Sequence, residues 1–268
     1  MHHPFKLPGA SLLPGLLLGL LTGTAARAQH RTQYGMQAGG GAGWVHLRGM
    51  ASYATSARQT WQLGVVAETR LASHWALQYG LSGAMRGYRL REDVTYEADQ
   101  GGVPTVGHYR SQDAYRLTYL LAHTLLAYQP AGAGKGWQLL VGGYAGLGTR
   151  GRYRYQYTDN WGTITREVSG RQRLVYGYRS GSGRGFGILG GGSSADIRPI
   201  DAGLQVGGGY CWQRVHVQAC YQVSLTPLLP GYLERQLQHR EYLRGATIAL
   251  SYFLPYSPKH SGTPVALR

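Results

Sequence analysis

The chain has 268 residues, a formal net charge of +15, 42 glycines, 21 tyrosines and only three phenylalanines. This composition argues against a helical globule and favours closely packed strands with tyrosines at a membrane interface. A chain of this length with strand periodicity commonly forms one β domain.

The first 28 residues have the features of a secretory signal peptide. A weakly basic start precedes a short apolar run at 12–21, and Ala26 and Ala28 frame a small-residue cleavage site. The alternative is a transmembrane anchor, but Pro14 and glycines interrupt a run well short of the ~20 residues that a spanning helix needs. We therefore expect a signal peptide at 1–28, a β-barrel at 29–254 and a C-terminal tail at 255–268.

The basic residues are almost all arginines, with Lys6, Lys135 and Lys259 as the exceptions. Arginine forms paired hydrogen bonds with phosphate and carboxylate groups. An exported chain with strand periodicity and no basic helix argues against nucleic acid as a partner. Lipid phosphate groups are one candidate partner, and carboxylates inside the fold are the other.

Residues 59–90 contain the clearest pattern, a β-hairpin of two alternating arms joined at 72–74. Apolar residues share one parity in each arm, and small, polar or charged residues share the other. Pairing Leu71 with Trp75 places Glu68 opposite Gln78, so the register and the pattern agree. An apolar face that ends in aromatic residues is typical of a membrane-spanning hairpin.

Six further strands are expected along the rest of the chain. They are strand one at 34–47, strand four at 115–128, strand five from 137 with an outer Arg/Tyr continuation to 157, strand six from 201, strand seven at 215–224 and strand eight at 242–254. The expected connections are a polar link at 50–58, a polar outer loop at 92–113, a turn at 129–136, a two-residue turn at 213–214 and an outer loop at 226–240.

The longest irregular stretch is predicted at 158–199. A small hairpin is expected inside it, formed by 163–168 and 173–178 around Ser169 and Gly170, followed by a Gly/Ser-rich segment at 180–194. Such a stretch is either a recognition loop or only a flexible connection.

An even number of alternating segments predicts an all-β fold, an eight-stranded antiparallel transmembrane β-barrel with short periplasmic turns and long extracellular loops. The competing fold is a secreted β-sandwich. A sandwich would bury the faces that carry Leu63, Leu77, Val217 and Leu250, whereas a barrel would expose them to lipid.

The parity of the strands assigns a set of polar residues to the barrel interior. The lumen-facing residues are predicted to be Glu68, Gln78, Arg86, Gln205, Gln218 and Gln222. Because an unpaired buried carboxylate is costly, Glu68 is expected to pair with an arginine, Arg86 being the same-face candidate. The alternative is a hydrated carboxylate in a wet lumen.

The two cysteines, Cys211 and Cys220, share the inward parity of strands six and seven. A two-residue turn at 213–214 pairs Cys211 with His216 and places Cys220 about 13 Å further along. A disulfide bridges at most ~7 Å between Cα atoms, so two free thiols are expected. A turn centred on 215–216 would instead bring the cysteines together.

Catalytic, cofactor and metal motifs are weak. Gly40-Gly41 lacks the Lys-Ser/Thr and helix of a phosphate-binding loop. His108, His123 and His216 are candidates for a catalytic base by residue type alone, because neither a Ser/His/Asp set nor a metal-ligand spacing is present. The chain is therefore predicted to be no enzyme and to bind no cofactor or metal, with a lipid-modifying barrel enzyme kept as an alternative.

Five short motifs occur in a characteristic order: G-V-V-A-E at 64–68, L-x-x-x-W-x-L-Q at 71–78, Y-L-L at 119–121, D-A-G-L at 201–204 and I-A-L-S-Y-F at 248–253. In this order the chain resembles the PorT-like outer-membrane β-barrels of Bacteroidetes-type bacteria over nearly its whole mature length. It departs from them near His123, where a proline is usual, and in the tail.

The resemblance implies an outer-membrane location and an eight-stranded barrel, and the better-known members of that family are linked to protein secretion. The expected function is a structural or secretion-associated envelope barrel. The alternative is a binding module that uses its surface loops. The expected partners are outer-membrane lipids with lipopolysaccharide as a candidate, the barrel assembly machinery, and an envelope or secretion protein.

Overall fold

The described part of the chain is built from β-strands. A computed structural model describes residues 32–48, 53–100, 103–132, 134–161, 164–176, 196–229 and 240–255. The strands are β1 (Thr32–Arg48), β2 (Tyr53–Arg70), β3 (Trp75–Gln100), β4 (Val103–Tyr128), β5 (Lys135–Trp161), β6 (Ile164–Tyr176), β7 (Asp196–Ile197), β8 (Ile200–Trp212), β9 (Val215–Ser224) and β10 (Arg240–Phe253). Within these ranges no helix is long and apolar enough to cross a membrane.

Eight of these strands close into a ring in which every neighbouring pair is antiparallel. The order is β1, β2, β3, β4, β5, β8, β9 and β10, and β10 pairs again with β1. Strand β6 pairs with the outer half of β5, and the two-residue β7 lies parallel to β6. The predicted eight-stranded antiparallel barrel is confirmed.

The hairpin of β2 and β3 has the predicted register. Glu68 lies opposite Gln78, and the backbone N–H of Leu71 donates to the carbonyl of Trp75 at 2.9 Å. The pairing shifts between Ala57 and Trp61. Above this shift β2 continues to Tyr53, so the predicted polar link at 50–58 is wrong for its described part.

The outward face of the ring carries an apolar belt. On β9 the exposed fraction is 46% for Val217 and 1% for Gln218, which is the alternation of a sheet with one face in lipid and one face inside. The exposed apolar residues include Met36, Leu63, Val65, Leu81, Leu139, Val141, Leu204, Val206, Ile248 and Leu250.

The height of the belt matches a bilayer. On β5 it extends from Trp137 to Leu147, about 33 Å along the strand and about 25 Å high once the strand tilt of a barrel is included. Trp75, Trp137 and Trp212 are exposed at the end where the connections are short. By the rule for outer-membrane barrels this is the periplasmic end.

The outer loop predicted at 92–113 is wrong. Strand β3 continues to Gln100 and β4 begins at Val103, and the two pair without a break through Asp93 and Arg110 to the tip. The apolar alternation ends near Leu90 because the outward face above the membrane has no lipid to contact. Strand pairing itself needs no apolar face there, so the strands continue where the pattern stops.

The irregular stretch predicted at 158–199 is also wrong in its first part. Strand β5 continues to Trp161, and β6 is one continuous strand that pairs with β5 from Ile164 to Leu174. The small hairpin around Ser169 and Gly170 is therefore absent from this described segment, since Gly170 lies opposite Tyr155 inside the ladder. The hairpin that does form consists of β5 and β6.

Several predictions concern residues outside the described ranges. They are the signal peptide at 1–28, the Gly/Ser-rich segment at 180–194, most of the loop at 226–240 and the tail beyond Pro255. The two-residue turn at 213–214 is confirmed, with Trp212 opposite Val215 and Gln213 at a φ of 57°.

Candidate functional site

The structure places all six predicted lumen residues inside the ring. The exposed fractions are 4% for Glu68, 1% for Gln78, 9% for Arg86, 7% for Gln205, 1% for Gln218 and 6% for Gln222. They lie on the inward parity of β2, β3, β8 and β9, and they form two hydrogen-bonded groups at different heights.

The group near the periplasmic end is organised around Glu68. Gln78 donates from Nε2 to Glu68 Oε2 at 3.0 Å, and Gln218 Nε2 donates to Gln78 Oε1 at 2.8 Å. His216 Nδ1 lies 3.5 Å from Glu68 Oε2, and Gln37 Nε2 donates to Gln218 Oε1 at 3.5 Å. These contacts join β1, β2, β3 and β9 across the lumen.

The group near the outer edge of the belt is organised around Arg86. Its Nη1 donates to Asp201 Oδ2 at 2.7 Å, and its Nη2 donates to Gln222 Oε1. Ser224 Oγ donates to the other carboxylate oxygen of Asp201 at 2.6 Å, and the guanidinium lies 4.5 Å from the centre of the Tyr144 ring. The buried cation therefore has a carboxylate, an amide and an aromatic face as partners.

The predicted pairing of Glu68 with Arg86 is wrong. Both side chains point inward, but Arg86 is eight residues beyond the position opposite Glu68, about 26 Å along the strand. The partner of Arg86 is Asp201, which sequence reasoning missed as a site residue. Its position one residue before the outward-facing Ala202 was the signal, because that parity directs the carboxylate inward.

Two small cavities lie beside the lumen network. A cavity of about 20 Å³ lies beside Thr60, Arg86 and Gln222, and another of about 10 Å³ lies beside Ser82 and Gln205. A volume of this size holds about one water molecule. An eight-stranded barrel has an interior just wide enough for side chains to fill, and this lumen is filled in that way.

The three candidate histidines do not converge. His108 and His123 lie on one strand, fifteen residues and about 50 Å apart, and His216 lies at the periplasmic end of β9. Thr95 Oγ1 lies 3.1 Å from His108 Nδ1 on the exposed outer part of β3 and β4. Within the described ranges, no group of three His, Cys, Asp or Glu residues could hold a metal ion.

Above the belt, tyrosines line the inner side of the extended sheet. Tyr88 stacks on Tyr115 with ring centres 4.5 Å apart, and Tyr115 packs on Tyr153 at 4.8 Å. Tyr88 donates to Glu241 Oε2 at 3.1 Å, and Tyr153 donates to Asp113 Oδ1 at 3.0 Å. The outer sheet therefore has an aromatic core of its own.

Burial raises the pKa of Asp113 to about 6. The hydrogen bond from Tyr153 opposes this rise, and the charges of Glu92 and Glu241 add to it. The carboxyl group lies opposite Leu90 and Tyr155, beyond the membrane-spanning part of β4. Asp113 therefore titrates in the part of the protein that extends beyond the outer end of the membrane-spanning strands.

Three of the solved structures similar to this chain share little sequence identity with it. Neisserial surface protein A is 10% identical with a TM-score of 0.32, over 82% of this chain and 97% of its own. The attachment invasion locus protein Ail of Yersinia pestis is 8% identical with a TM-score of 0.34, over 84% and 99%. OprG from Pseudomonas aeruginosa is 10% identical with a TM-score of 0.27, over 85% and 98%.

No curated protein is significantly similar to this chain in sequence. The profile of a protein family does match it. That family is described as outer membrane protein beta-barrel domain, and the match covers residues 25–229. The match extends over more than half of the chain and includes most strands of the closed ring, so the chain belongs to the outer membrane protein beta-barrel domain family.

Proposed function

We propose that this protein is a non-conducting, non-catalytic outer-membrane barrel that presents a tall sheet at the cell surface for binding another envelope component. The observation that carries this proposal is the length of β3, β4 and β5. Strand β5 continues 14 residues beyond Leu147, about 45 Å along the strand. We call the part of β3–β6 beyond the apolar belt the outer wall.

The filled lumen supports the non-conducting part of the proposal. The Arg86–Asp201 pair and the glutamine network occupy the interior at two heights. A solute would have to break these contacts to pass, because the cavities beside them hold only about one water molecule each.

The outer wall supports the binding part of the proposal. A paired sheet with a tyrosine core is more rigid than an irregular loop, and a rigid surface loses less conformational entropy on binding. Long irregular loops are the usual recognition elements of outer-membrane barrels. In this protein the described part of that region is ordered strand, which suits a flat or extended partner.

The proposal includes a more specific placement of the protein. We infer a PorT-like, Bacteroidetes-type barrel that is exported through a signal peptide at 1–28 and inserted by the barrel assembly machinery. The motif order from 64 to 253 supports this placement. A secretion or envelope protein is then the proposed partner class, with lipopolysaccharide as the lipid alternative.

Shortening the outer wall tests the binding proposal. Deleting 94–109 and 158–167 removes the tips of both hairpins at paired positions, since Asp93 lies opposite Arg110 and Tyr157 opposite Val168. A photo-crosslinking amino acid at the exposed Gln156 should give a discrete adduct in native envelopes with the full-length protein and lose it in the shortened one. The same adducts from both proteins would overturn the proposal.

Planar bilayers test the non-conducting part. The purified protein should give no stepwise conductance, whereas Arg86→Ala combined with Asp201→Ala should open a water-filled path and allow small current steps. Steady conductance by the unmodified barrel would show that the lumen network opens.

A further inference from the structure

A row of four arginines crosses the outward face of the outer wall. Arg116, Arg152 and Arg173 lie directly opposite one another on β4, β5 and β6, and neighbouring strands are about 4.8 Å apart. All three side chains are exposed. Their outward parity follows from the buried residues beside them, Leu117 and Leu174, which point inward.

The fourth cation reaches the row from β2. On β3 the residue opposite Arg116 is Gly87, and the side chain of Arg58 lies across this glycine. A Cβ atom on Gly87 would come within 2.6 Å of the Tyr115 carbonyl oxygen and 2.9 Å of Arg58 Cδ, so the glycine leaves room for this crossing. Arg58 Nη1 then donates to the carbonyl of Tyr115 at 3.3 Å, beside Arg116.

A second row lies two residues further out and contains Arg89, Arg154 and Arg171. Partial burial lowers the pKa of Arg58, and repulsion from Arg116, Arg89 and Arg154 lowers it further. Arginines of both rows therefore lie close enough to Arg58 to act on its charge.

No ion pair found among the described residues involves an arginine of this surface. Arg86 pairs with Asp201 and Arg110 pairs with Asp93, and neither pair includes an arginine of either row. Like charges directly opposite each other on a sheet are destabilising. An anionic ligand would remove that cost.

The first row lies at the height of the lipid head groups. Leu120 is the outward apolar residue of β4 nearest the row, and Arg116 is four residues beyond it, about 13 Å along the strand and about 10 Å in height after tilt. The interfacial layer of a bilayer extends about 5–8 Å beyond the hydrocarbon, and the long arginine side chain can cover the remaining distance.

We propose that the row formed by Arg58, Arg116, Arg152 and Arg173 binds the lipid-borne phosphate groups of lipopolysaccharide in the outer leaflet. The guanidinium fork matches a phosphate with two hydrogen bonds, and arginines on neighbouring strands can hold adjacent phosphates of one lipid. The side chains point sideways towards the lipid. This inference rests on the proposed surface location of the outer wall.

The test compares two variants with equal loss of charge. The row variant carries Arg116→Gln, Arg152→Gln and Arg173→Gln. The control variant carries the same change at three exposed arginines outside both rows: Arg48, Arg110 and Arg166. Both proteins are refolded in detergent, and their folded state is checked by the heat-dependent shift in gel mobility.

Binding is measured with lipopolysaccharide and with the same lipopolysaccharide after phosphate removal. The row variant should bind intact lipopolysaccharide about 100-fold more weakly than the unmodified protein, and the control should stay within about threefold. The unmodified protein should lose a similar factor when the phosphates are removed. Equal binding by both variants, or no effect of phosphate removal, would overturn the proposal.

Two further measurements separate the remaining outcomes. Competition by millimolar inorganic phosphate that abolishes lipid binding would indicate a site for the free anion and would contradict the lipid source.

If the row variant does not refold, Arg152→Gln alone should weaken binding and Arg152→Lys should restore part of it. The row variant keeps the height of the outer wall, so it can lose lipid binding while the crosslinked partner at Gln156 is retained.

Discussion

The guanidinium of Arg86 and the carboxylate of Asp201 meet at 2.7 Å inside the barrel, although β3 and β8 are not neighbours in the ring. Both side chains are almost fully buried. The pair therefore joins two strands that are three places apart in the ring, across the lumen, at the height where the outer wall begins. Ser224 donates to the other carboxylate oxygen of Asp201, and Gln222 accepts a hydrogen bond from the other terminal nitrogen of Arg86.

The first prediction is that removing one partner of this pair destabilises the barrel strongly. Asp201→Ala should lower the free energy of unfolding by about 3–5 kcal/mol, because it leaves a buried guanidinium without its counter-charge. Urea unfolding of the refolded protein in micelles measures the change. Arg110→Gln is the matched control, since the Arg110–Asp93 pair is exposed and should contribute less than about 1 kcal/mol.

The double variant Arg86→Gln with Asp201→Asn distinguishes the pair from its surroundings. It should be more stable than Asp201→Ala, because no unpaired charge remains in the lumen. If Asp201→Ala and Arg110→Gln cost the same, the lumen is hydrated enough to screen the pair.

The second prediction concerns Glu68, whose carboxylate accepts a hydrogen bond from Gln78. Glu68→Ala should destabilise the barrel by about 1–3 kcal/mol, because Gln78 then loses a partner at a buried position. Glu68→Gln should cost less, since an amide oxygen can accept the same bond. Thermal unfolding followed by gel mobility measures both variants. Equal loss in the two variants would mean that the negative charge itself is needed.

Sequence patterns predicted the membrane-spanning strands correctly, because contact with lipid determines which residues occupy their outward face. On β9, the alternation of Val217 and Gln218 identifies the two faces because one faces lipid and the other a packed interior. The same reasoning failed at 92–113 and 158–176. Both faces of the strands there contact water or protein, so a strand such as β6 can hold outward arginines without an alternating apolar pattern.

The sequence predicted that the site residues point into the barrel, but it did not predict which residues they contact. Parity places Glu68 and Arg86 on the inward face, but parity does not encode height along the barrel or contacts across the lumen. The partner of Arg86 is on β8, 115 residues further along the chain. Only the closed ring brings Asp201 opposite it.

The third prediction tests the orientation of the faces in the membrane. In a background with Cys211 and Cys220 replaced by alanine, nitroxide labels are attached to Val217→Cys and Gln218→Cys. The label at Val217 should be relaxed strongly by oxygen, which concentrates in lipid, and the label at Gln218 should be shielded. Electron paramagnetic resonance in liposomes measures both, and shielding at both positions would indicate a soluble sandwich.

The fourth prediction is that Asp113 makes the free energy of unfolding depend on pH. Its pKa in the folded protein is about 6, above the value of about 3.9 in an unfolded chain. The folded state therefore binds the proton more tightly. The stabilisation is complete below about pH 4 and is lost as the pH rises through 6, at a cost of roughly 2–3 kcal/mol by pH 8.

Asp113→Asn should remove this dependence, because the amide stays neutral and still accepts the hydrogen bond from Tyr153. Urea unfolding at pH 5 and pH 8 should differ less in the variant than in the unmodified protein. Asp93→Asn, at an exposed carboxylate of the same wall, is the control. An equal pH effect in Asp113→Asn would show that Asp113 is not its source.

The last prediction concerns the two buried thiols. Cys211 lies opposite His216, and Cys220 lies opposite Gly207, so the cysteines are four positions out of register. This offset is about 13 Å along the strands, nearly twice the ~7 Å that a disulfide tolerates between Cα atoms. Both cysteines are free in the structure, as the two-residue turn at 213–214 predicted.

Mass measurement of the unreduced protein tests this register. Unfolding the protein in the presence of an alkylating reagent should add two adducts, one at each of Cys211 and Cys220, and prior reduction should not raise the number. The folded barrel should react slowly at both positions, because both thiols are buried. A protein that gains adducts only after reduction would contain a disulfide, and the pairing of β8 with β9 would then have to shift by four residues.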